Sequence, residues 1–155
     1  MKVIIVGSGS RGSALARALA DKDHEVTVVE IDHSRLSTLP PARVQSGDIR
    51  TITGDGTRAA VLEDAGIDTA DILFCLTGRD SVNGLITQKA RVLYKTRSVV
   101  AGVKDPRMKQ VLESHGIVAV DGAAAMTERL LSSIPSGRQE PGAAAMGPAE
   151  ESGAL

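Results

Sequence analysis

Six consecutive residues near the amino terminus have the types and spacing of a phosphate-binding loop. They are Gly7, Ser8, Gly9, Ser10, Arg11 and Gly12. In a G-x-G-x-x-G loop the first glycine permits a tight turn, the second lets a pyrophosphate approach the backbone, and the third lets helix and strand pack closely. A helix that begins at such a loop offers free N–H groups and a partial positive charge to phosphates. The Arg11 guanidinium could bind a phosphate or could point to solvent.

A carboxylate, Glu30, follows Gly12 by 18 residues, at the end of the next predicted strand. There it can accept hydrogen bonds from both ribose hydroxyls of an adenosine. Because a carboxylate repels a 2′-phosphate, Glu30 favours NAD(H) over NADP(H). ADP and ATP carry the same free hydroxyls, so Glu30 alone does not separate a dinucleotide from an adenine mononucleotide. The alternative interpretation is an exposed charge at a strand end.

Further polar residues follow the third and fourth predicted strands, at the edge where open α/β sheets bind ligands. Asp55, next to Gly56 and Thr57, could accept a hydrogen bond from an adenine amino group, although spacing alone favours a turn aspartate. Thr77 and Asp80 follow the fourth strand, where helix capping is the alternative explanation.

The sequence offers no group suited to moving a proton beside a hydride. The three histidines are poorly placed for this role: His24 is predicted in the turn before the second strand, His33 at the adenosine end, and His115 at the end of a helix on the far side from the crevice. Tyr94 lacks a lysine one helical turn later, and Cys75 is predicted inside a buried strand. The residues therefore predict a nucleotide-binding protein without catalysis.

Composition narrows the class of protein further. A chain of 155 residues with a net charge of -1 and 1% aromatic residues predicts one domain and no nucleic-acid binding. No apolar run approaches the ~18 residues of a membrane span, so no direct membrane insertion is expected. One cysteine cannot form an internal disulfide, which fits a reducing cytoplasm.

Short β-branched runs alternate with segments of helical period, and this alternation must position the polar residues. It predicts a Rossmann-like, doubly wound α/β fold with six parallel strands in the order 3-2-1-4-5-6. The strands are predicted at residues 3–6, 25–30, 48–53, 71–76, 98–103 and 117–120. The helices are predicted at residues 13–20, 33–39, 58–65, around 85–94, from 106 and at 123–134.

Local signals predict where several helices begin and end. Asp32 is expected to cap the second helix and the prolines at 40 and 41 to end it. Thr57 is expected to cap the third helix, which stops at Gly66. Asp105 followed by Pro106 predicts a cap and a proline at the first helical position. The domain is predicted over residues 1–134, followed by a disordered, Gly/Pro-rich tail at 135–155.

Several motifs together resemble a known family. They are V-I-I-V-G-S-G-S-R-G, V-T-V-V-E-I-D, G-D-G-T, D-A-G-I, L-T-G-R-D-S-V-N and V-K-D-P, in that order. In order and spacing they resemble the RCK N-terminal domain of TrkA-type subunits in potassium-uptake systems. The resemblance implies a Rossmann sheet that binds NAD(H), ADP or ATP without catalysis. It also implies a cytoplasmic regulator that assembles as dimers or rings against a membrane potassium translocator subunit.

The resemblance also assigns roles to residues. The loop from Gly7 to Gly12 would hold the phosphates and Glu30 the ribose. Asp55, with Gly56 and Thr57, would border the adenine, and Thr77 would lie near the second half of the ligand. Two departures favour NAD(H) or ADP over ATP. Many members have arginine at the fourth loop position, where this chain has Ser10. Many also have arginine in the fifth strand, where this chain has Gly102 and then, two residues later, Lys104.

Two questions stay open at this point. The last helix carries Met126, Leu130, Leu131 and Ile134 at helical spacing, which suits either a dimer surface or core packing. Two other functions also fit a nucleotide-binding domain: a small NAD-dependent oxidoreductase that takes substrate groups from a partner, and a free-standing NAD redox sensor.

Overall fold

A computed structural model describes residues 1–133 as six strands and six α-helices. The strands are β1 (Lys2–Val6), β2 (Glu25–Glu30), β3 (Ile49–Thr53), β4 (Ile72–Cys75), β5 (Ser98–Gly102) and β6 (Val118–Val120). The helices are α1 (Ser10–Ala20), α2 (Pro41–Gln45), α3 (Ala59–Asp64), α4 (Asp80–Val92), α5 (Pro106–Ser114) and α6 (Gly122–Ser132). Ile134 and the tail predicted at 135–155 lie outside the described residues.

All six strands are parallel and follow the order β3-β2-β1-β4-β5-β6, which confirms the predicted fold class. At the end of β1, Val6 is paired with Val29 of β2 on one side and with Cys75 of β4 on the other. Strands β2 and β3 are added on one side of β1, and strands β4 to β6 on the other side. The position between β1 and β4 is therefore a topological switch point, which opens a crevice at the carboxyl ends of the strands.

Aliphatic side chains cover both faces of the sheet. On one face, Leu62, Ile86 and Leu112 of α3, α4 and α5 are fully buried against the strands. On the other face, Ala16 and Ala20 of α1 pack against β1 and β2. Small residues bring α1 close to the sheet, so the amino end of that helix is held firmly at the crevice.

The segment after Asp32 differs from its prediction. Asp32 caps it as expected, accepting a hydrogen bond from the Ser34 N–H at 3.0 Å, but the helix at His33–Thr38 is a 3-10 helix. That helix ends before the two prolines, as expected, but Pro41 is also the first residue of α2, a short helix that was not predicted. Proline suits that position, where its missing N–H is not needed and its φ is already helical.

The predicted cap at Thr57 is also wrong. Arg58 is the cap residue of α3, and the Thr57 hydroxyl donates to Asp55 Oδ1 at 2.8 Å, inside the preceding turn. Two neighbouring predictions are confirmed. Gly66 follows α3 with a φ of 85°, and Asp105 caps α5 ahead of Pro106.

Helix α6 lies outside the core of the described chain. Asp121 caps it, accepting from the N–H groups of Ala123 and Ala124, but none of its residues is buried. Met126, Leu130 and Leu131 are each about 60% exposed. Within residues 1–133, these three side chains therefore do not pack into the core. Among the helices of the described residues, none has both the length and the apolar character needed to cross a bilayer.

Candidate nucleotide-binding site

A cleft of about 490 Å³ opens at the carboxyl ends of β1, β2 and β4, within the size range of ligand pockets. Eight of the eleven predicted site residues line it. They are Gly7, Gly9, Ser10, Arg11, Glu30, Asp55, Gly56 and Thr77. The remaining three, Ser8, Gly12 and Thr57, lie behind the lining and hold the loops in place.

The glycine loop is packed as its spacing predicts. Gly7 has a φ of 102°, and a Cβ at this position would come within 2.8 Å of the Leu76 carbonyl oxygen. A Cβ at Gly12 would collide with the Gly7 carbonyl oxygen, so α1 approaches the loop as closely as backbone allows. A Cβ at Gly9 would have no protein atom within 4 Å. The space over Gly9 is therefore open, as a bound phosphate would need.

The first turn of α1 has no capping side chain and no carboxylate. Gly9 is the cap residue and supplies no side-chain hydrogen bond, and the first turn carries no acidic residue. The N–H groups at the start of a helix have no partner within it, and the helix dipole makes this end positive. An anion at this end of the cleft can therefore accept hydrogen bonds from the start of α1.

Glu30 ends β2 beneath the loop and is only 5% exposed. Its Oε2 accepts from the Ser8 N–H at 2.7 Å and from the Ser8 hydroxyl at 3.1 Å. Its Oε1 accepts from the Asp32 N–H at 3.1 Å. A carboxylate has about four acceptor sites, so Glu30 holds the loop in shape and keeps capacity for a ribose hydroxyl.

The charge state of Glu30 follows from two opposing effects. Burial by itself raises the pKa of the carboxyl group, because a charge loses its hydration. The hydrogen bonds from Ser8 and Asp32 favour the charged form and outweigh burial, so the pKa of Glu30 lies below its usual value. The residue is thus a carboxylate at neutral pH, able to accept from hydroxyl donors.

Asp55 has a structural role and also faces the cleft. Its Oδ1 accepts from the Thr57 N–H at 2.9 Å and from the Thr57 hydroxyl, which together lower the pKa of Asp55. The turn role predicted for Asp55 therefore accounts for Oδ1 of its carboxylate only. Gly56 beside it packs so tightly that a Cβ would come within 2.7 Å of Val6 Cγ1. Lys89 Nζ fixes the far side of the turn by donating to the Thr57 carbonyl at 2.6 Å.

Thr77 is tied to a buried amide. Its hydroxyl donates to Asn83 Oδ1 at 2.6 Å, its N–H donates to the same oxygen, and the Asn83 amide donates to the Gly102 carbonyl at 2.7 Å. Asn83 thereby links the ends of β4 and β5 and positions Thr77 at the cleft.

Several other lining residues are not among the predicted site residues, and three of them have side chains suited to a nucleotide: Ile31, Arg35 and Arg79. Ile31 directly follows Glu30 and is 63% exposed, an apolar surface suited to a flat base. The rule that identified Glu30 and Thr77, proximity to the carboxyl end of a strand, would also have found Ile31 and Arg79. Arg35 lies on the 3-10 helix after β2, and its position depends on how that segment folds.

A second cavity, of about 610 Å³, lies at the opposite, amino edge of the sheet. His24, Glu25 and Gly66 are among its lining residues, and the glycine loop is not. His33 Nδ1 lies 3.0 Å from Thr53 Oγ1, and His115 directly follows α5. No histidine is among the described residues that line the cleft at the carboxyl edge.

The fold, the switch-point crevice and the glycine loop define a Rossmann-type nucleotide-binding domain. Residues 3–121 match the TrkA-N domain family, and the chain belongs to that family. The resemblance inferred from the motifs is thereby confirmed.

Several relatives are named Trk system potassium uptake protein TrkA. The protein of Halomonas elongata is 37% identical over 123 residues, which cover 78% of this chain and 26% of the relative. That of Vibrio alginolyticus is 33% identical over 146 residues, covering 92% and 31%. That of Streptomyces coelicolor is 31% identical over 140 residues, covering 90% and 61%. The chain thus spans roughly a quarter to three fifths of these relatives.

Solved structures share the fold. The TrkA-N domain of the inner membrane protein YbaL from Escherichia coli superposes with a TM-score of 0.74 at 19% identity, covering 84% of this chain and 94% of that domain. The AMP-bound Kef C-terminal domain of Shewanella denitrificans gives 0.69 at 20% identity, covering 88% and 83%. The ADP-bound GsuK gives 0.62 at 25% identity, covering 77% and 30%.

Proposed function

We propose that this chain is the nucleotide-binding domain of a cytoplasmic regulatory subunit for a Trk/Ktr-type potassium transport system. The observation that carries the nucleotide part is the open space over Gly9, which the amino end of α1 faces and Glu30 flanks. The potassium part is supported by the family and by relatives named for potassium uptake.

NAD(H) is the ligand we favour, with ADP or ATP as the alternatives. Glu30 suits any adenosine with free ribose hydroxyls, and the exposed Ile31 suits an adenine ring. The loop from Gly7 to Gly12 would hold the phosphates, Asp55 would border the base, and Thr77 would face the second half of the ligand. Structures of similar fold solved with AMP and ADP are in keeping with this assignment.

The role we propose is non-catalytic. Its support is chemical: the lining of the cleft contains carboxylates, arginines and hydroxyls, but no histidine, lysine, tyrosine or cysteine among the described residues. A membrane potassium translocator subunit is the proposed partner, reached from the inner face of the membrane. The exposed apolar side of α6 is the proposed contact between two copies of the chain.

Titration of the purified protein with NADH, ADP and ATP tests the nucleotide step. We expect saturable binding of at least one of them below millimolar concentration. Glu30→Lys should weaken every adenosine ligand by at least about tenfold, because it removes an acceptor and unlocks Ser8. The matched control is Glu25→Lys, which makes the same change at the other end of β2 and should leave affinity unchanged.

Failure to bind any of the three nucleotides up to millimolar concentration would contradict the proposal. Equal losses in the two variants would place the ligand elsewhere. An assay of NADH oxidation with a panel of carbonyl acceptors separates the regulatory role from that of an oxidoreductase. We expect no hydride transfer to any acceptor. Co-purification of the full-length subunit with a potassium translocator would separate it from a free-standing redox sensor.

A further inference from the structure

Arg11 belongs to two parts of the molecule at once. It lines the nucleotide cleft, and its side chain lies against Gly122, the first residue of α6. A Cβ placed on Gly122 would be 2.6 Å from Arg11 Nη1, 3.3 Å from its Cδ and 3.6 Å from its Cζ. The arginine therefore occupies the space that a side chain at position 122 would fill, and it spans the gap between the glycine loop and α6.

Few other contacts fix α6 within the described chain. None of its residues is buried, and the hydrogen bonds at its start come from Asp121, its own cap. The exposed apolar side chains begin one turn further on, with Met126. The direction in which α6 presents that apolar side therefore depends on how its first turn is held, which is where Arg11 lies.

The guanidinium of Arg11 has capacity for a second partner. It takes part in none of the ion pairs formed within residues 1–133. Guanidinium carries five N–H donors in a planar fork, which suits two oxygens of one phosphate. Its aliphatic stem and one face can stay on Gly122 while the fork edge binds the ligand.

We propose that Arg11 is a positioning residue that couples a nucleotide phosphate to the orientation of α6. This inference rests on the proposed nucleotide site. A phosphate bound to the fork immobilises Arg11, and the immobilised side chain holds the first turn of α6 against the loop. Since coupling between sites is reciprocal, any partner that holds α6 in this orientation also strengthens nucleotide binding.

Hydrogen exchange at the amides of α6, measured with and without saturating ADP or NADH, tests this coupling. In the wild-type protein we expect nucleotide to slow exchange at the start of α6 by at least about fivefold, the lower end of usual coupling. Arg11→Gln should abolish this response even at saturation. Arg17→Gln, an exposed arginine on the same helix that does not line the cleft, is the matched control and should keep it.

Gly122→Ala provides a second, independent variant. The three atoms nearest to the new Cβ all belong to the flexible side chain of Arg11, so we expect the arginine to move while α6 keeps its fold. We expect the nucleotide response of α6 to be lost, and the Arg11→Gln, Gly122→Ala double variant to behave as Arg11→Gln alone.

The outcomes separate the two proposals. If no nucleotide binds the wild-type protein, the nucleotide site itself is wrong. If nucleotide binds but the response of α6 persists in Arg11→Gln, or never occurs in the wild-type protein, the coupling is overturned. An added effect of Gly122→Ala in the absence of Arg11 would also overturn it, because that effect could not pass through the arginine.

Discussion

The cavities at the two edges of the sheet lie at helix ends of opposite dipole sign, and for anion binding this difference matters more than the cavity volumes. The cavity at the amino edge is the larger, about 610 Å³ against about 490 Å³. Its lining includes Ala20 and Gly66, at or just beyond the carboxyl ends of α1 and α3, where helix dipoles are negative. The smaller cleft begins at the amino end of α1, where N–H groups point outward. A phosphate is therefore favoured in the smaller of the two.

The two ends of strand β2 show the same contrast between the edges, because each end carries a glutamate. Glu25 at its amino end is exposed, whereas Glu30 at its carboxyl end is 5% exposed. Only the buried carboxylate receives hydrogen bonds from a loop, at Ser8, and from the following turn, at Asp32. The environment at each edge, rather than the residue type, decides which glutamate can belong to a binding site.

The largest expected effect is that of Gly12→Ala. The new Cβ would collide with the Gly7 carbonyl oxygen, a backbone atom that cannot move without opening the loop. We expect a loss of about 3 kcal/mol in the free energy of unfolding, and loss of nucleotide binding. The comparison is Gly66→Ala at the amino edge, where no atom lies within 4 Å and only a φ of 85° resists the change. It should cost about 1 kcal/mol, and chemical denaturation measures the free energy of unfolding of both variants. Equal costs would contradict the packing of the loop.

Glu30→Gln should have the next largest effect, and one that depends on pH. Losing charged hydrogen bonds to Ser8 and Asp32 should lower the free energy of unfolding by about 2 kcal/mol at pH 7. The folded pKa of Glu30 lies below the unfolded value near 4.5, so its contribution is complete above that pH. The difference between wild type and variant should shrink as pH falls through the folded pKa. A difference that is constant from pH 7 to pH 3 would argue against a hydrogen-bonded carboxylate, and exposed Glu25→Gln should change stability by less than about 0.5 kcal/mol.

Gly9→Ala should separate binding from folding. The added methyl group has no protein atom within 4 Å, and the φ of -61° suits alanine, so stability should not fall. Because the methyl group enters the space assigned to a phosphate, nucleotide affinity should fall about tenfold, which corresponds to about 1.4 kcal/mol. Calorimetry gives both quantities, and unchanged affinity would mean that the ligand does not use the space over Gly9.

The smallest expected effect concerns Cys75, which lies at the end of β4 beneath the cleft. Burial raises the pKa of its thiol far above the usual range, so alkylation requires the protein to open. Nucleotide at three times its Kd should slow labelling about fourfold, if the open form does not bind it. A cysteine introduced by Thr69→Cys at the exposed amino edge should react at the same rate with and without nucleotide. Equal protection of the two thiols would mean that the ligand does not act at the carboxyl edge.

The features that the sequence predicts well are those governed by local pattern. The alternation of β-branched and helical segments is enough for the sheet order, since right-handed crossovers leave few alternatives. The glycine spacing predicts the loop, and the closing position of Glu30 on β2 predicts that it reaches the cleft. In each case the periodicity of a strand or the needs of one turn determine the outcome.

The rest depends on contacts between distant segments. Nothing near Ser8 in the sequence indicates that its side chain turns away from the cleft, toward Glu30, which lies 22 residues further along the chain. The place of Arg35 at the cleft depends on how the segment after β2 folds, here as the 3-10 helix His33–Thr38. The contact between Arg11 and Gly122 joins residues more than a hundred positions apart. Such details follow from packing, which local propensity does not encode.

The hydrogen bonds from Ser8 to Glu30 also bear on the timing of a regulatory signal. In the proposed nucleotide site, a loop held in shape by these hydrogen bonds lets association proceed without a slow rearrangement. The lifetime of the bound state then depends on how quickly the nucleotide leaves. A regulator of the proposed kind would follow a rise in ligand concentration promptly, and dissociation would set the duration of its response.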